Sequence, residues 1–187
     1  MTVRRVAALY VDAAGPYAGL AGVDCWPLKR DARRYAGPWP IVAHPPCGPW
    51  GSYAHKSHED PELALRAVEQ VQRYGGVLEH PAKSRLWKSC DLPQPGATAK
   101  RQGNAYTVEI RQVDFGHRAS KPTWLYIVGG GILPPMPLPV PDPAPPRPYK
   151  SGRQPRGVLE TLSKRQRKLT PPRLADWLVR VAQTCRL

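Results

Sequence analysis

The chain has 187 residues, with 28 Lys and Arg against 14 Asp and Glu, for a formal charge of +14. A chain of this length buries one ordinary core without disulfide staples, and so large a basic excess gathers polyanions and supplies cations for phosphate contacts, which puts nucleic acid first among partners. Its cysteines (Cys25, Cys47, Cys90, Cys185) form no CxxC pair and no stretch approaches the ~20 apolar residues of a membrane span, so a disulfide scaffold, a zinc knuckle and a membrane protein are set aside in favour of a soluble, cytoplasmic protein.

In chain order, short apolar runs closed by Gly, Pro or Asp predict strands at Val6–Val11, Ile41–Ala43, Val77–Glu79, Val108–Phe115 and Trp124–Val128. The first three are almost uniformly apolar, as strands covered on both faces are, which predicts an open α/β sheet. Between the second and third, Asp60 as N-cap, Pro61 in the first turn and Ala64, Ala67, Val68 and Val71 at helical spacing predict a helix that stops at Gly75. From Pro134 to Pro148, nine prolines in fifteen residues remove too many amide donors for helix or sheet and predict an extended strap. Arg153, Arg156, Lys164, Arg165, Arg167, Lys168 and Arg173 then have only Glu160 to offset them, which marks a phosphate-contact region or a solvated charged face. A last helix is predicted with Thr170 as its cap, Pro171 in its first turn and Leu174, Ala175, Leu178, Val181 and Ala182 on one face. The expected organisation is an α/β domain over 1–133, a proline-rich strap over 134–152, and a basic segment with a helix that packs back over 153–187.

Chemistry concentrates in His44-Pro45-Pro46-Cys47-Gly48-Pro49-Trp50-Gly51, directly after the second long strand. Prolines stiffen this turn and hold Cys47 at the carboxyl edge of a sheet, where open α/β folds place their ligands, so Cys47 is the candidate nucleophile. Pro45-Pro46-Cys47 after an apolar strand resembles the Pro-Pro-Cys motif of the DNA cytosine-C5 methyltransferases, and further segments follow in that family's order. Val77-Leu78-Glu79-His80-Pro81 is similar to the Glu-Asn motif, with Glu79 in the position of the carboxyl group that reads the base. The run from Phe115 to Gly129 is similar to the later motif that carries an arginine, for which Arg118 is the candidate, and Thr170-Pro171-Pro172-Arg173-Leu174-Ala175 resembles the helix that returns to the cofactor side.

The resemblance implies a reduced, Rossmann-like methyltransferase sheet and a reaction in which the Cys47 thiolate adds to C6 of a pyrimidine, flipped or single-stranded, and makes C5 nucleophilic. Glu79 and Arg118 would support that addition. Trp50, Tyr53 and Trp87 are candidate stacking groups, and Lys121 with the basic segment would hold DNA. S-adenosylmethionine is the implied cofactor, with Tyr10, Asp12, Gly15, Asp24 and Pro45 as its candidate contacts and Asp31 as a further acid. Departures are specific. The loop Leu9 to Gly19 keeps only glycines and an aromatic of the family's cofactor loop, His80 replaces the usual Asn, and the strap and basic cluster stand where relatives carry a large recognition domain. That reduction suggests a phage or mobile-element protein whose target is chosen weakly or by a protein partner. Two other readings stay open: a DNA-binding protein that has lost transfer, and a pyrimidine-modifying enzyme with another one-carbon donor such as a folate. A zinc deaminase is set aside because Trp50 stands where its second cysteine ligand belongs.

Overall fold

The computed structural model describes residues 4–95, 104–138 and 162–187. Six strands, β1 (Val6–Leu9), β2 (Val23–Trp26), β3 (Ile41–Ala43), β4 (Gly76–Pro81), β5 (Tyr106–Arg111) and β6 (Pro122–Val128), form one sheet in the order β2-β1-β3-β4-β6-β5. The pairs β1–β2, β1–β3 and β3–β4 are parallel, while β6 lies antiparallel between β4 and β5. The protein is therefore α/β with a mixed sheet. From β1 the chain steps to one side for β2 and to the other for β3, so the loops after β1 and β3 diverge and open a crevice at their carboxyl ends.

Alternation along the strands builds two half-cores. Val6, Ala8, Val42, Val77, Leu125 and Ile127 face α4 (Pro172–Thr184), which buries Leu174, Leu178 and Val181 against them. Ala7, Leu9, Ile41, Ala43 and Leu78 face α1 (Glu62–Tyr74) through Ala64, Ala67 and Val71. Each fully buried Leu or Val in these layers contributes roughly 1.5–3 kcal/mol of transfer free energy. The same period of two sends His44, after Val42, and Glu79, after Val77, to the α4 face. Gly76 is required by the close approach of β3 and β4, since a Cβ there would stand 2.0 Å from the Ile41 carbonyl oxygen.

Several boundaries differ from expectation. The first strand ends at Leu9 because Tyr10 turns into the left-handed region at φ 60°. The strand expected to reach Phe115 stops at Arg111, and Gln112–Phe115 form a 3-10 turn closed by Gly116 at φ 93°. Asp60 does serve α1, accepting from the Glu62 amide at 2.9 Å, with Pro61 at the cap position and Gly75 as the stop. Thr170 does not cap α4: Pro171 holds that position, and Pro172 begins the helix without needing an amide partner. Unforeseen elements are β2, α2 (Arg85–Ser89) and α3 (Lys164–Lys168), each of five residues or fewer.

Of the strap, Ile132 to Leu138 runs extended along α4, held where Ile132 N donates to Thr184 Oγ1 at 2.8 Å, Trp177 Nε1 to the Pro134 carbonyl at 3.1 Å and Arg173 to the Leu138 carbonyl at 2.8 Å. Residues 139–152 lie outside the described residues. Among the described residues, no helix is long and apolar enough to cross a membrane.

Candidate active site

Cys47 ends the strand-loop unit of β3 and stands at the start of a 3-10 turn, Gly48–Trp50, fixed by the Trp50 amide donating to the Cys47 carbonyl at 3.1 Å. Gly48 leaves room for a carboxylate: its amide donates to Glu59 Oε2 at 3.1 Å, and a Cβ would meet that oxygen at 2.5 Å. The thiol side is open to solvent. Its pKa is nevertheless raised, first by desolvation from the surrounding walls and then by the carboxylates of Glu79 and Glu59, while Lys121 and Lys168 act in the opposite direction. With its pKa raised from 9.0, Cys47 rests as the protonated thiol, and an approaching substrate must shift that balance.

Glu79, from the end of β4, is the best-anchored polar group. His44 Nδ1 lies 3.0 Å from its Oε2, and Gln112 Nε2 donates to its Oε1 at 2.9 Å. His44 Nε2 is 2.6 Å from the hydroxyl of Tyr17, which is buried in the α4-side core. Gln112 Nε2 also donates to Thr123 Oγ1 at 3.1 Å, and that hydroxyl donates to the Lys121 carbonyl at 3.1 Å. The chain Tyr17–His44–Glu79–Gln112–Thr123 thus crosses the carboxyl edge of the sheet from the β1 loop to β6. Burial alone would push Glu79 up, but the hydrogen bond and charge of His44, with Lys121 and His80, hold its carboxyl at about 2. Both His44 nitrogens are engaged, by Tyr17 and Glu79, so neither is directed at Cys47.

Lys121 is one of two lysines whose charge acts on Cys47 among the described residues, and it acts on Glu79 as well. Arg118 is exposed instead, on the turn that precedes β6. Lys121 takes φ 41° at the entry to β6. His80 points to the opposite, α1 face, buried against Trp87 and beside the Pro46 carbonyl, with neither ring nitrogen completing a hydrogen bond among the described residues; burial lowers its pKa to about 4 and keeps it neutral, against the pull of Glu79 and Pro46. His80 therefore supports the Pro-Pro-Cys turn from behind.

The basic segment meets the site. Lys168 Nζ of α3 pairs with Glu59 Oε1 at 2.8 Å and its charge reaches Cys47, so α3 borders the Cys47 loop with Arg165 and Arg167 exposed. Lys164 opens that helix, while Arg153 and Arg156 lie outside the described residues. Among the aromatics, Trp50 is half-buried with its indole nitrogen unpartnered among the described residues, and Tyr53 is exposed. Trp87 is core, packed on Trp124 with its Nε1 donating to the Pro81 carbonyl, and offers no stacking surface.

The candidate cofactor residues do not converge as a nucleoside site. The Tyr10 hydroxyl donates to buried Gln70 at 2.9 Å, Asp12 turns Oδ1 back to the Ala14 amide at 3.0 Å, and Gly15 closes the same turn on the Asp12 carbonyl. Asp24 is held by Arg30 and by Trp26 Nε1, Asp31 by Arg33, and Pro45 is buried. Burial would raise the Asp24 pKa, and Arg30 and Trp26 outweigh it, so a ribose diol would have to displace a bonded arginine. These residues do not fit S-adenosylmethionine as they stand. Sequence reading missed Tyr17, His44 as an anchor, Gln112 and Glu59; only the strand alternation that sends His44 and Glu79 to one face carried a signal for them. A separate open groove of about 550 Å³ lies between β5 and the strap, lined by Val108, Ile110, Leu133, Met136 and Trp177, away from Cys47. Comparison with protein families, curated proteins and solved structures finds no match to this chain.

Proposed function

We propose that this chain modifies a pyrimidine in DNA by covalent catalysis, as an enzyme of the cytosine-C5 methyltransferase kind. The observation that carries this reading is the convergence of Cys47, Glu79 and Lys121 from three different chain segments, at the carboxyl ends of β3 and β4 and the adjoining amino end of the antiparallel β6. A thiolate adding to C6 makes C5 nucleophilic, an anchored carboxylate orients the ring through its N–H groups, and a lysine offsets the charge that builds on the ring. The reversal of strand order at β1 and β3 supports a doubly wound, methyltransferase-type sheet. Phosphates tracking along α3 would meet Arg165 and Arg167 within reach of the Cys47 loop, and the base would enter unstacked. Transfer of a one-carbon unit from a donor molecule to C5, followed by loss of the C5 proton and of Cys47 from C6, completes the proposed activity; S-adenosylmethionine is the donor the resemblance implies and is tested for that reason alone, since Asp24 and Asp31 are already bonded.

A second reading, DNA binding without transfer, is favoured by those occupied acids and by the raised thiol. Intact-mass analysis of the protein with 5-fluorocytosine-containing DNA, with and without S-adenosylmethionine and beside Cys47→Ser, separates the two. A methylated adduct that needs Cys47 and the cofactor establishes transfer; DNA affinity with no adduct establishes the binding protein.

A further inference from the structure

We infer that the pyrimidine this site takes is one that carries a hydrogen on N3 and an open C5, namely uracil in a DNA strand, rather than cytosine. The inference rests on the covalent-addition reading above and narrows its substrate. Its basis is the hydrogen-bond polarity of the Glu79 anchor.

Both Glu79 oxygens face protein donors. The Tyr17 hydroxyl is buried and, among the described residues, has His44 Nε2 as its hydrogen-bond partner, so it donates there and leaves the imidazole hydrogen on Nδ1, directed at Glu79 Oε2. On the other oxygen the Gln112 amide cannot be turned round without loss: its Nε2 hydrogens reach both Glu79 and Thr123 Oγ1, and the Thr123 hydrogen is already committed to the Lys121 carbonyl. With donors on either side, Glu79 stays ionised and has only lone pairs to offer an incoming base. Cytosine can donate to such a lone pair only from its N4 amine, which leaves its N3 acceptor facing the same anion; a carboxylic acid that would donate to that N3 has no place in this network.

Uracil reverses the fit. Its N3–H donates to a Glu79 lone pair, and its carbonyl oxygens suit the Lys121 ammonium. On addition the Cys47 proton leaves to solvent, Sγ bonds to C6, and the C5=C6 electron pair moves toward C5 and the C4 oxygen, where a cation stabilises it. In deuterated water a deuteron then adds at C5, the original proton leaves C5, and the S–C6 bond breaks to restore the ring. No donor molecule is needed for this exchange, so it reports the base preference directly.

The test is deuterium uptake at C5 of single-stranded oligonucleotides that contain one deoxyuridine or one deoxycytidine, followed by mass spectrometry, with each rate divided by that given by free cysteine. The expected result is uracil exchange about tenfold or more above cytosine, lost in Cys47→Ser and with the preference reduced in Glu79→Gln, whose amide can donate to N3. Faster exchange of cytosine overturns the substrate inference and leaves Cys47 addition standing. Exchange of neither base above the free-thiol rate overturns the covalent reading and this inference with it.

Discussion

Removing the charge at Glu79 should flatten the acid limb of stability. A carboxyl held at about 2 in the folded protein, against 4.5 as its ordinary value, stabilises the fold above pH 4.5 and loses that contribution as pH falls from 4.5 toward 2. The difference amounts to about 3 kcal/mol over the whole range and about 2 kcal/mol between pH 4.5 and pH 3, at ~1.4 kcal/mol per pH unit. The neighbouring His80 also titrates in this region, so the comparison is made in a His80→Leu background, which places an apolar side chain beside Leu78 and Trp87. Urea unfolding of His80→Leu and of His80→Leu/Glu79→Gln at pH 4.5 and pH 3 gives the two slopes. The protein that retains Glu79 should lose about 2 kcal/mol more than its Gln counterpart over that interval. Parallel losses in the two proteins would refute the anchored-carboxylate account, since every other carboxyl is common to both.

His80→Leu alone should make the protein more resistant to mild acid: a buried imidazole held at about 4 lets the unfolded chain take up the proton first, so wild type loses stability as pH falls from 6.5 to 4. Equal urea midpoints for wild type and His80→Leu at pH 7 and at pH 5, changing in step, would contradict it. Lys121→Met should cut Cys47 adduct formation by tenfold or more, whereas Arg118→Met should change it by less than about twofold, measured as initial rates of adduct on fluoropyrimidine DNA; the reverse ranking would return the cationic role to Arg118. Arg165→Ala with Arg167→Ala should weaken single-stranded DNA binding and lower the slope of log affinity against log salt by about 1.4, from fluorescence anisotropy across a salt series. An unchanged slope would remove α3 from the DNA face.

Apolar strands and the Pro-Pro-Cys turn made the core of this fold legible. Ile41–Ala43 and Val77–Leu78 are apolar because both faces are covered, and they emerge as β3 and part of β4, with Glu79 following in β4 and Cys47 in the loop after β3. What the sequence concealed has physical causes. β2 is a half-exposed edge strand that carries Asp24 and Trp26, so it lacks an apolar run. Gln112 reads as the middle of a strand by its apolar neighbours, yet it is the hinge of a 3-10 turn because its side chain is drawn inward to Glu79 and Thr123. Arg118 and Lys121 are both basic and three positions apart; that the first is exposed and the second half-buried follows from the turn before β6, which local composition does not encode. The partnership of His44 with Tyr17 spans 27 positions and joins two loops that only the sheet brings together.

The late position of α4 bears on how the protein is made. Until residues 172–184 leave the ribosome, Val6, Ala8, Val42, Val77, Leu125 and Ile127 have no cover, and the nascent sheet presents an apolar slab to chaperones and to other nascent chains. The Cys47 loop likewise gains its border only when Lys168 reaches Glu59. A polypeptide cut short anywhere before α4 would thus be a sticky fragment with an unfinished centre. The apolar faces of β1, β3, β4 and β6 and the border of the Cys47 loop therefore both wait on segments far along the chain.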